Sequence, residues 1–105
     1  MANVIVSLLA QFDEAYIARD LAGKAGRRVA AKYAARFDGL YVRLGEHPES
    51  GAPRPSLGRN VRIGIVSPYT LTYRYDTATN TVTILRILHG RRKLTGAMLL
   101  SNIES

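Results

Sequence analysis

The stretch ILRILHGRRKL, residues 84–94, carries the two features on which the interpretation of this sequence depends. Its first half is an apolar run typical of a buried strand, interrupted by Arg86. Its second half is a basic segment that follows the strand, in which His89 and Gly90 precede Arg91, Arg92 and Lys93. Because the interior of a strand seldom tolerates an unpaired guanidinium, Arg86 requires either a partner carboxylate or a functional role.

Two further strands precede this one. Residues 61–66 and 70–76 are separated by a Ser-Pro dipeptide, and a polar tetrapeptide at 77–80 separates the second strand from residues 82–89. Such short connections predict an antiparallel meander. The last strand is apolar on both faces, as expected of a central strand. Its predicted faces are Val82, Ile84 and Leu88 on one side, and Leu85 and Ile87 on the other.

The first half of the chain predicts a strand and two helices. Residues 3–9 are rich in Val and Ile and predict a strand. Residues 11–22 predict a helix with two acids in its first turn and Gly23 as its stop. A second helix is predicted at 26–46, ended by His47 and Pro48, and a loop at 48–60 follows. The side chains expected to face the core from the first helix are Phe12, Tyr16 and Leu21.

The second predicted helix has two distinct faces. Its apolar stripe recurs at spacings of three and four and comprises Val29, Tyr33, Phe37, Leu40 and Leu44. A neighbouring face carries four cations, Arg28, Lys32, Arg36 and Arg43. These cations are either a solvated edge or a binding surface. Gly39 in the middle of this helix indicates close backbone packing, because glycine costs about 1 kcal/mol relative to alanine in a helix interior.

Composition sets limits on function. A chain of 105 residues with 47% hydrophobic content suffices for a single domain, residues 1–105. Cysteine is absent, and the longest apolar stretch, residues 4–10, is too short to cross a bilayer and lacks a basic leader. We therefore expect a cytoplasmic protein with no membrane partner. Residues 50–105 carry eight Lys or Arg against two Asp or Glu, a field that attracts polyanions or acidic proteins.

Motifs for common chemistries are missing. The glycines match neither a Walker loop nor a dinucleotide fingerprint, and two histidines without cysteine give no set of metal ligands, so we expect no cofactor and no metal. What remains is a set of cations on the predicted strands and in the basic segment that follows the last strand. These cations either stabilise a phosphate or anchor an acidic partner. The candidate binding residues are Arg62, Arg74, Arg86, His89, Arg91, Arg92 and Lys93. Arg74 has a further interpretation, in which it pairs with an exposed carboxylate.

The order of these elements, together with several short motifs, resembles the RelE/ParE toxin superfamily over nearly the whole chain. The motifs are SLLA at 7–10, LGEHPESG at 44–51, LGRNVR at 57–62, YTLTYRY at 69–75 and ILRILHGRR at 84–92. The resemblance implies an α+β fold in which an N-terminal strand and a helical hairpin pack on a mainly antiparallel sheet. Leu8 departs from the family's motif, which has proline at this position.

Two functions follow from this resemblance. ParE-like members inhibit DNA gyrase and block replication, whereas RelE-like members are ribosome-dependent mRNA endonucleases that often use a C-terminal tyrosine. No tyrosine follows Tyr75 here, so the gyrase-inhibiting interpretation is preferred. The resemblance then implies a growth-inhibiting toxin of a type II toxin–antitoxin system, of the kind associated with plasmid stabilisation. Its partners would be a ParD-like antitoxin and DNA gyrase, or alternatively the ribosome and mRNA. As a nuclease, its candidate catalytic residues would be Arg62, Arg86 and His89.

Overall fold

The computed structural model describes residues 1–90, which form two helices on one face of a five-stranded sheet. The elements in chain order are β1 (Asn3–Val6), α1 (Leu8–Ala25), α2 (Arg27–Glu46), β2 (Ala52–Pro53), β3 (Val61–Val66), β4 (Tyr69–Asp76) and β5 (Thr81–His89). The predicted α+β architecture is confirmed. The sequence also predicts a helical turn around residues 97–100, a stretch that lies outside the described residues.

The sheet has the strand order β1-β5-β4-β3-β2. Strands β3, β4 and β5 form the predicted antiparallel meander, and β1 adds to β5 in parallel. The short β2 lies inside the segment that was predicted to be a loop, and a 3₁₀ turn (Pro55–Leu57) follows it. No helix in residues 1–90 is both long and apolar enough to span a membrane.

A β-bulge places the side chains of β5 differently from the prediction. Thr72 is paired with Arg86 while the adjacent Tyr73 is paired with Ile84, so β5 contains one extra residue, Leu85. After this bulge the alternation is shifted by one residue. Ile87 therefore joins Ile84 in the core beneath the helices, and Leu85 packs in a smaller cluster with residues near the 3₁₀ turn.

The first helix begins earlier and ends later than predicted. Ser7 is its N-cap, since the Ser7 hydroxyl accepts a hydrogen bond from the Ala10 N–H, and β1 ends one residue before it. Asp13 consequently lies beyond the first turn. The helix continues through Gly23 and ends at Gly26, whose φ of 95° favours glycine.

The second helix agrees with its predicted bounds and core face. Phe37, Leu40 and Leu44 are buried against the sheet, and Tyr33 is half-buried beside them. Gly39, however, is exposed, and a Cβ built there would meet nothing within 4 Å. The prediction of close backbone packing at Gly39 is therefore wrong.

Candidate functional site

Arg62 holds the loop that follows α2. Its guanidinium Nη1 donates to the carbonyl oxygens of Glu49 and Gly51, at 2.9 and 2.8 Å. The fully buried Tyr73 assists from the neighbouring strand, because its hydroxyl donates to the Pro48 carbonyl and accepts from the Gly51 N–H, both at 2.9 Å. Arg62 thus fixes the entry to β2 through hydrogen bonds from a charged donor, which are stronger than those from a neutral donor.

Arg74 occupies the opposite face of the sheet, level with Val61. Its Nε donates to the carbonyl oxygen of Arg59 at 3.3 Å. Among residues 1–90 the ion pairs are Lys24 with Asp20 and Arg86 with Asp13, so the expected pairing of Arg74 with a carboxylate is wrong. Its contact is to the backbone of the loop before β3.

Arg86 has a partner carboxylate, one of the two outcomes that the sequence allowed. The guanidinium binds Asp13 on α1 with two hydrogen bonds, Nε to Oδ2 at 2.8 Å and Nη2 to Oδ1 at 3.0 Å. The side chains are 15% and 14% exposed, so this ion pair is largely removed from water. The hydrogen bond to Asp13 raises the pKa of Arg86 further above its ordinary value, against the opposing effect of burial.

The same carboxylate also completes the edge of β5. Strand β1 ends at Val6, and the chain turns into α1 where Ser7 N–H donates to the Ile84 carbonyl at 3.0 Å. Beyond that point the edge of β5 needs other partners. The Ser7 hydroxyl donates to the Leu85 carbonyl at 3.0 Å, and Asp13 Oδ2 accepts the Ile87 N–H at 3.0 Å. Asp13 therefore satisfies three donors at once, and we call this set of contacts the α1–β5 junction.

Sequence reasoning did not identify Asp13 as the partner. It assigned this acid to the helix dipole, although the residue lies 73 positions before Arg86. The available signal was the buried arginine itself, together with the rule that such a cation is paired. To choose Asp13 among the acids, one must know where α1 begins. The apolar run that continues from β1 into α1 does not mark that position.

His89 lies in a cleft of about 330 Å³ between α1 and the end of β5. Its ring meets that of Tyr69 edge to face, with the centroids 5.9 Å apart. Desolvation by burial raises the pKa of Tyr69, so this phenol stays protonated at neutral pH. The polar side chains lining the cleft with them are Asp13, Tyr16 and Asp20.

A stripe of large apolar side chains on α1 faces solvent. Leu8, Phe12 and Tyr16 recur at intervals of four residues and are 53%, 60% and 65% exposed. The prediction that Phe12 and Tyr16 are buried is therefore wrong; Ala10 and Ile17 are the buried residues of this helix. A contiguous apolar surface of this kind is typical of a protein-binding site. We call these three residues the α1 stripe.

The outer groove between the two helices has a volume of about 400 Å³, and four of its ten lining residues are alanine. One polar contact crosses the helix pair beside it, where the Tyr41 hydroxyl donates to Glu14 Oε1 at 2.8 Å. Burial and this hydrogen bond strongly raise the pKa of Tyr41. The contact fixes the relative rotation of the helices and so the direction in which the α1 stripe points.

The structure brings two of the predicted site residues to one place, since Arg86 binds Asp13 and Asp13 lines the cleft of His89. Arg62 and Arg74 contact other elements than Arg86, which binds α1. Arg62 donates to the loop after α2, and Arg74 donates to the loop before β3 on the other face of the sheet. Arg91, Arg92 and Lys93 lie outside the described residues. Within residues 1–90, no three His, Asp or Glu side chains are placed to hold a metal ion.

Comparison with known proteins gives related sequences and folds. A family model described as the ParE toxin of the type II toxin–antitoxin system parDE matches residues 4–94. The fold is similar to that in the chromosomal ParDE toxin–antitoxin system from P. aeruginosa, with a TM-score of 0.71 and 23% identity over 85% of this chain and 96% of that chain. It is also similar to that in the RelBE2 toxin–antitoxin complex from Mycobacterium tuberculosis, with a TM-score of 0.59 and 27% identity over 84% of this chain and 96% of that chain. No curated protein matches the sequence.

Proposed function

The chain belongs to the ParE toxin family of type II toxin–antitoxin systems, and from that premise we propose that it arrests growth by binding DNA gyrase. The resemblance inferred from the sequence motifs is thereby confirmed. We further propose that a cognate antitoxin, encoded beside it, neutralises the toxin in the cytoplasm.

The observation that carries the choice of gyrase is the use of the sheet arginines within the fold. A nuclease of the RelE type needs cations that converge on a phosphate. Here each guanidinium group has a different acceptor inside the fold. Arg62 donates to the loop after α2, Arg74 donates to the loop before β3, and Arg86 donates to Asp13. No tyrosine follows Tyr75 in this sequence. These contacts favour a protein that acts by binding over one that cleaves RNA.

The proposed target is tested in cells that express the chain and in a supercoiling reaction with purified gyrase. Inducible expression of the full chain should arrest growth and produce filaments, and the purified protein should inhibit supercoiling by gyrase. Primer extension on ribosome-bound transcripts should show no new ends. Normal growth with soluble protein confirmed would refute toxicity, and inhibition of growth without inhibition of gyrase would refute the target.

The α1–β5 cleft supports a second candidate function, mRNA cleavage. His89 provides an imidazole that packs edge to face against the ring of Tyr69, in a cleft that Asp13 and Asp20 also line. An imidazole in such a cleft is suited to acid–base work. Codon-specific cuts in primer extension that disappear in His89→Ala, with gyrase unaffected, would establish this function in place of the first.

The α1 stripe supports the proposal of an antitoxin. An apolar helix of the partner lying on it would remove three large side chains from water, and burial of this kind contributes about 1.5–3 kcal/mol for each. We expect Phe12→Ser with Tyr16→Ser to weaken binding of the product of the neighbouring reading frame by at least about a hundredfold.

A matched control comes from the opposite side of the molecule. Ile65 on β3 is 59% exposed, and Ile65→Ser removes a comparable apolar side chain away from α1. Binding should be measured by titration calorimetry with both variants. Equal loss in the two variants, or no loss in the α1 variant, would exclude the stripe as the antitoxin surface.

A further inference from the structure

The four cations predicted for one face of α2 form a continuous line on the surface. Arg28, Lys32, Arg36 and Arg43 are all exposed. At about 100° per residue they fall within about 80° of the helix circumference, and from first to last they extend about 22 Å along its axis. We call these four residues the basic ridge.

The charges of the basic ridge are not neutralised within the described residues. Both ion pairs found there involve other cations, Lys24 and Arg86. Arg36 lies over the ring of Tyr33, with its Cζ 5.0 Å from the centroid, so it is steadied while its charge remains available. Of the two acids of α2, Asp38 lines the groove beside α1. Glu46, the last residue of the helix, lies on the same side as the ridge, three residues after Arg43, but forms no ion pair among the described residues. The sheet arginines, by contrast, are held by contacts inside the fold.

The shape of the ridge favours a stiff, regularly charged ligand. An uninterrupted helix holds its cations in a straight line, and duplex DNA carries one negative charge per about 1.7 Å of its axis, so about 13 phosphates lie along the length of the ridge. Two of the residues beside the cations, Ala35 and Gly39, are small and exposed. Nothing lies within 4 Å of the Cβ position of Gly39, so the ligand backbone can approach the helix closely.

The same features disfavour other ligands. Single strands are bound by aromatic platforms combined with cations. The exposed aromatic residues Phe12 and Tyr16 lie on α1, and the one ring beside a cation of the ridge, that of Tyr33, is half-buried and covered by Arg36. A protein interface needs a buried apolar centre. Along residues 28–43 one large apolar side chain, Val42, is exposed, which is too little apolar surface for such a centre.

We propose that the basic ridge binds the phosphate backbone of duplex DNA without sequence preference. This goes beyond the proposed function, since it requires neither gyrase nor an antitoxin. Each phosphate contact releases a condensed counterion, so the affinity of the protein for DNA falls as salt rises, with a slope of about 0.9 per contact on logarithmic axes.

The experiment measures binding of the purified full chain to a fluorescent duplex of about 20 base pairs, a length sufficient to cover the ridge. Anisotropy titrations are repeated over a series of NaCl concentrations. The test variant is Arg28→Gln with Lys32→Gln and Arg36→Gln. The slope should fall by about 2–3, and the affinity near 0.1 M salt should fall on the order of a hundredfold.

A matched control separates the ridge from net charge. Arg19→Gln with Lys24→Gln and Arg59→Gln removes the same charge from α1 and a loop, where all three cations are exposed. The salt slope of this variant should differ from that of the unaltered protein by less than about 0.9, the contribution of one phosphate contact. Circular dichroism of both variants should show unchanged folding, since none of the six side chains is buried.

Four results would overturn the proposal. These are no binding to the duplex at low salt, equal losses in the two triple variants, binding of single-stranded DNA or RNA as tight as that of the duplex, and tighter binding of a polyglutamate chain. The last result would assign the ridge to an acidic protein. Because the assay contains DNA alone, its failure leaves the gyrase experiment unaffected.

Discussion

The α1–β5 junction gives a quantitative prediction for Asp13→Ala. This change removes the acceptor of three hydrogen bonds and leaves the guanidinium of Arg86 without its counter-charge. Breaking a fully buried ion pair by removing one partner costs about 3–5 kcal/mol, whereas an exposed pair contributes less than about 1 kcal/mol. With side chains 14–15% exposed, this pair is close to the buried limit. We expect the free energy of unfolding to fall by about 3 kcal/mol.

The reciprocal change, Arg86→Ala, should be milder. Asp13 keeps its hydrogen bond from the Ile87 N–H and can be hydrated at the sheet edge, so we expect a loss of about 2 kcal/mol. In the double variant no unpaired charge remains, and its loss should be about 3 kcal/mol rather than the sum of the two. The coupling energy of the cycle is therefore about 2 kcal/mol.

The assay is urea denaturation of the four proteins, followed by circular dichroism and supported by thermal melting. A loss of about 3 kcal/mol corresponds to a decrease in Tm of more than about 10 °C in a domain of this size. Lys24→Ala serves as the control, because it breaks the exposed pair with Asp20 and should leave Tm unchanged. Additive effects in the cycle, each below about 1 kcal/mol, would refute the structural role of the junction.

Three further changes test other parts of the fold by the same denaturation assay. Gly39→Ala should raise the free energy of unfolding by about 0.5–1 kcal/mol, since the added methyl group meets nothing within 4 Å; a decrease would contradict this reading. Gly51→Ala should lower it by more than about 2 kcal/mol, because the new Cβ would lie 2.5 Å from the Tyr73 hydroxyl and from a strand carbonyl; a change below about 0.5 kcal/mol would refute the close fit. Tyr41 keeps its proton to a higher pH in the folded than in the unfolded chain, so its contribution to stability is complete below pH 10 and is lost as pH rises above 10. Tyr41→Phe should flatten this alkaline loss because it removes the buried, titrating hydroxyl, and an unchanged pH profile would exclude the titration of Tyr41 as its cause.

The meander could be predicted closely from sequence because its signals are local. The turn residues between its strands interrupt clear apolar runs, and each predicted strand agrees with the structure to within one residue at either end. The bulge at Leu85 could not be predicted, since the apolar residues on both sides of Arg86 do not mark which of them is the extra residue. Its consequence was an incorrect assignment of faces to Ile87 and Leu88.

The start of α1 was misplaced for a related reason. The apolar run continues from β1 into the helix, so hydrophobicity does not mark the boundary. Ser7 carried the available signal as an N-cap. Phe12 and Tyr16 were assigned to the core because they are large and apolar, yet the helix buries the smaller Ala10 and Ile17 instead. Residue type alone does not distinguish a core side chain from one on a binding surface.

The cations of this chain divide into two groups that composition cannot separate. Arg62, Arg74 and Arg86 donate to acceptors inside the fold, so their removal should lower stability before it affects binding. The basic ridge on α2 contacts no carboxylate in the described part of the chain, and its removal should change binding while the fold persists. The sequence drew attention to the first group because an arginine in a strand is unusual. The same burial that makes such an arginine conspicuous is the reason it needs an internal partner, whereas the cations of a solvated helix retain their charge for a ligand.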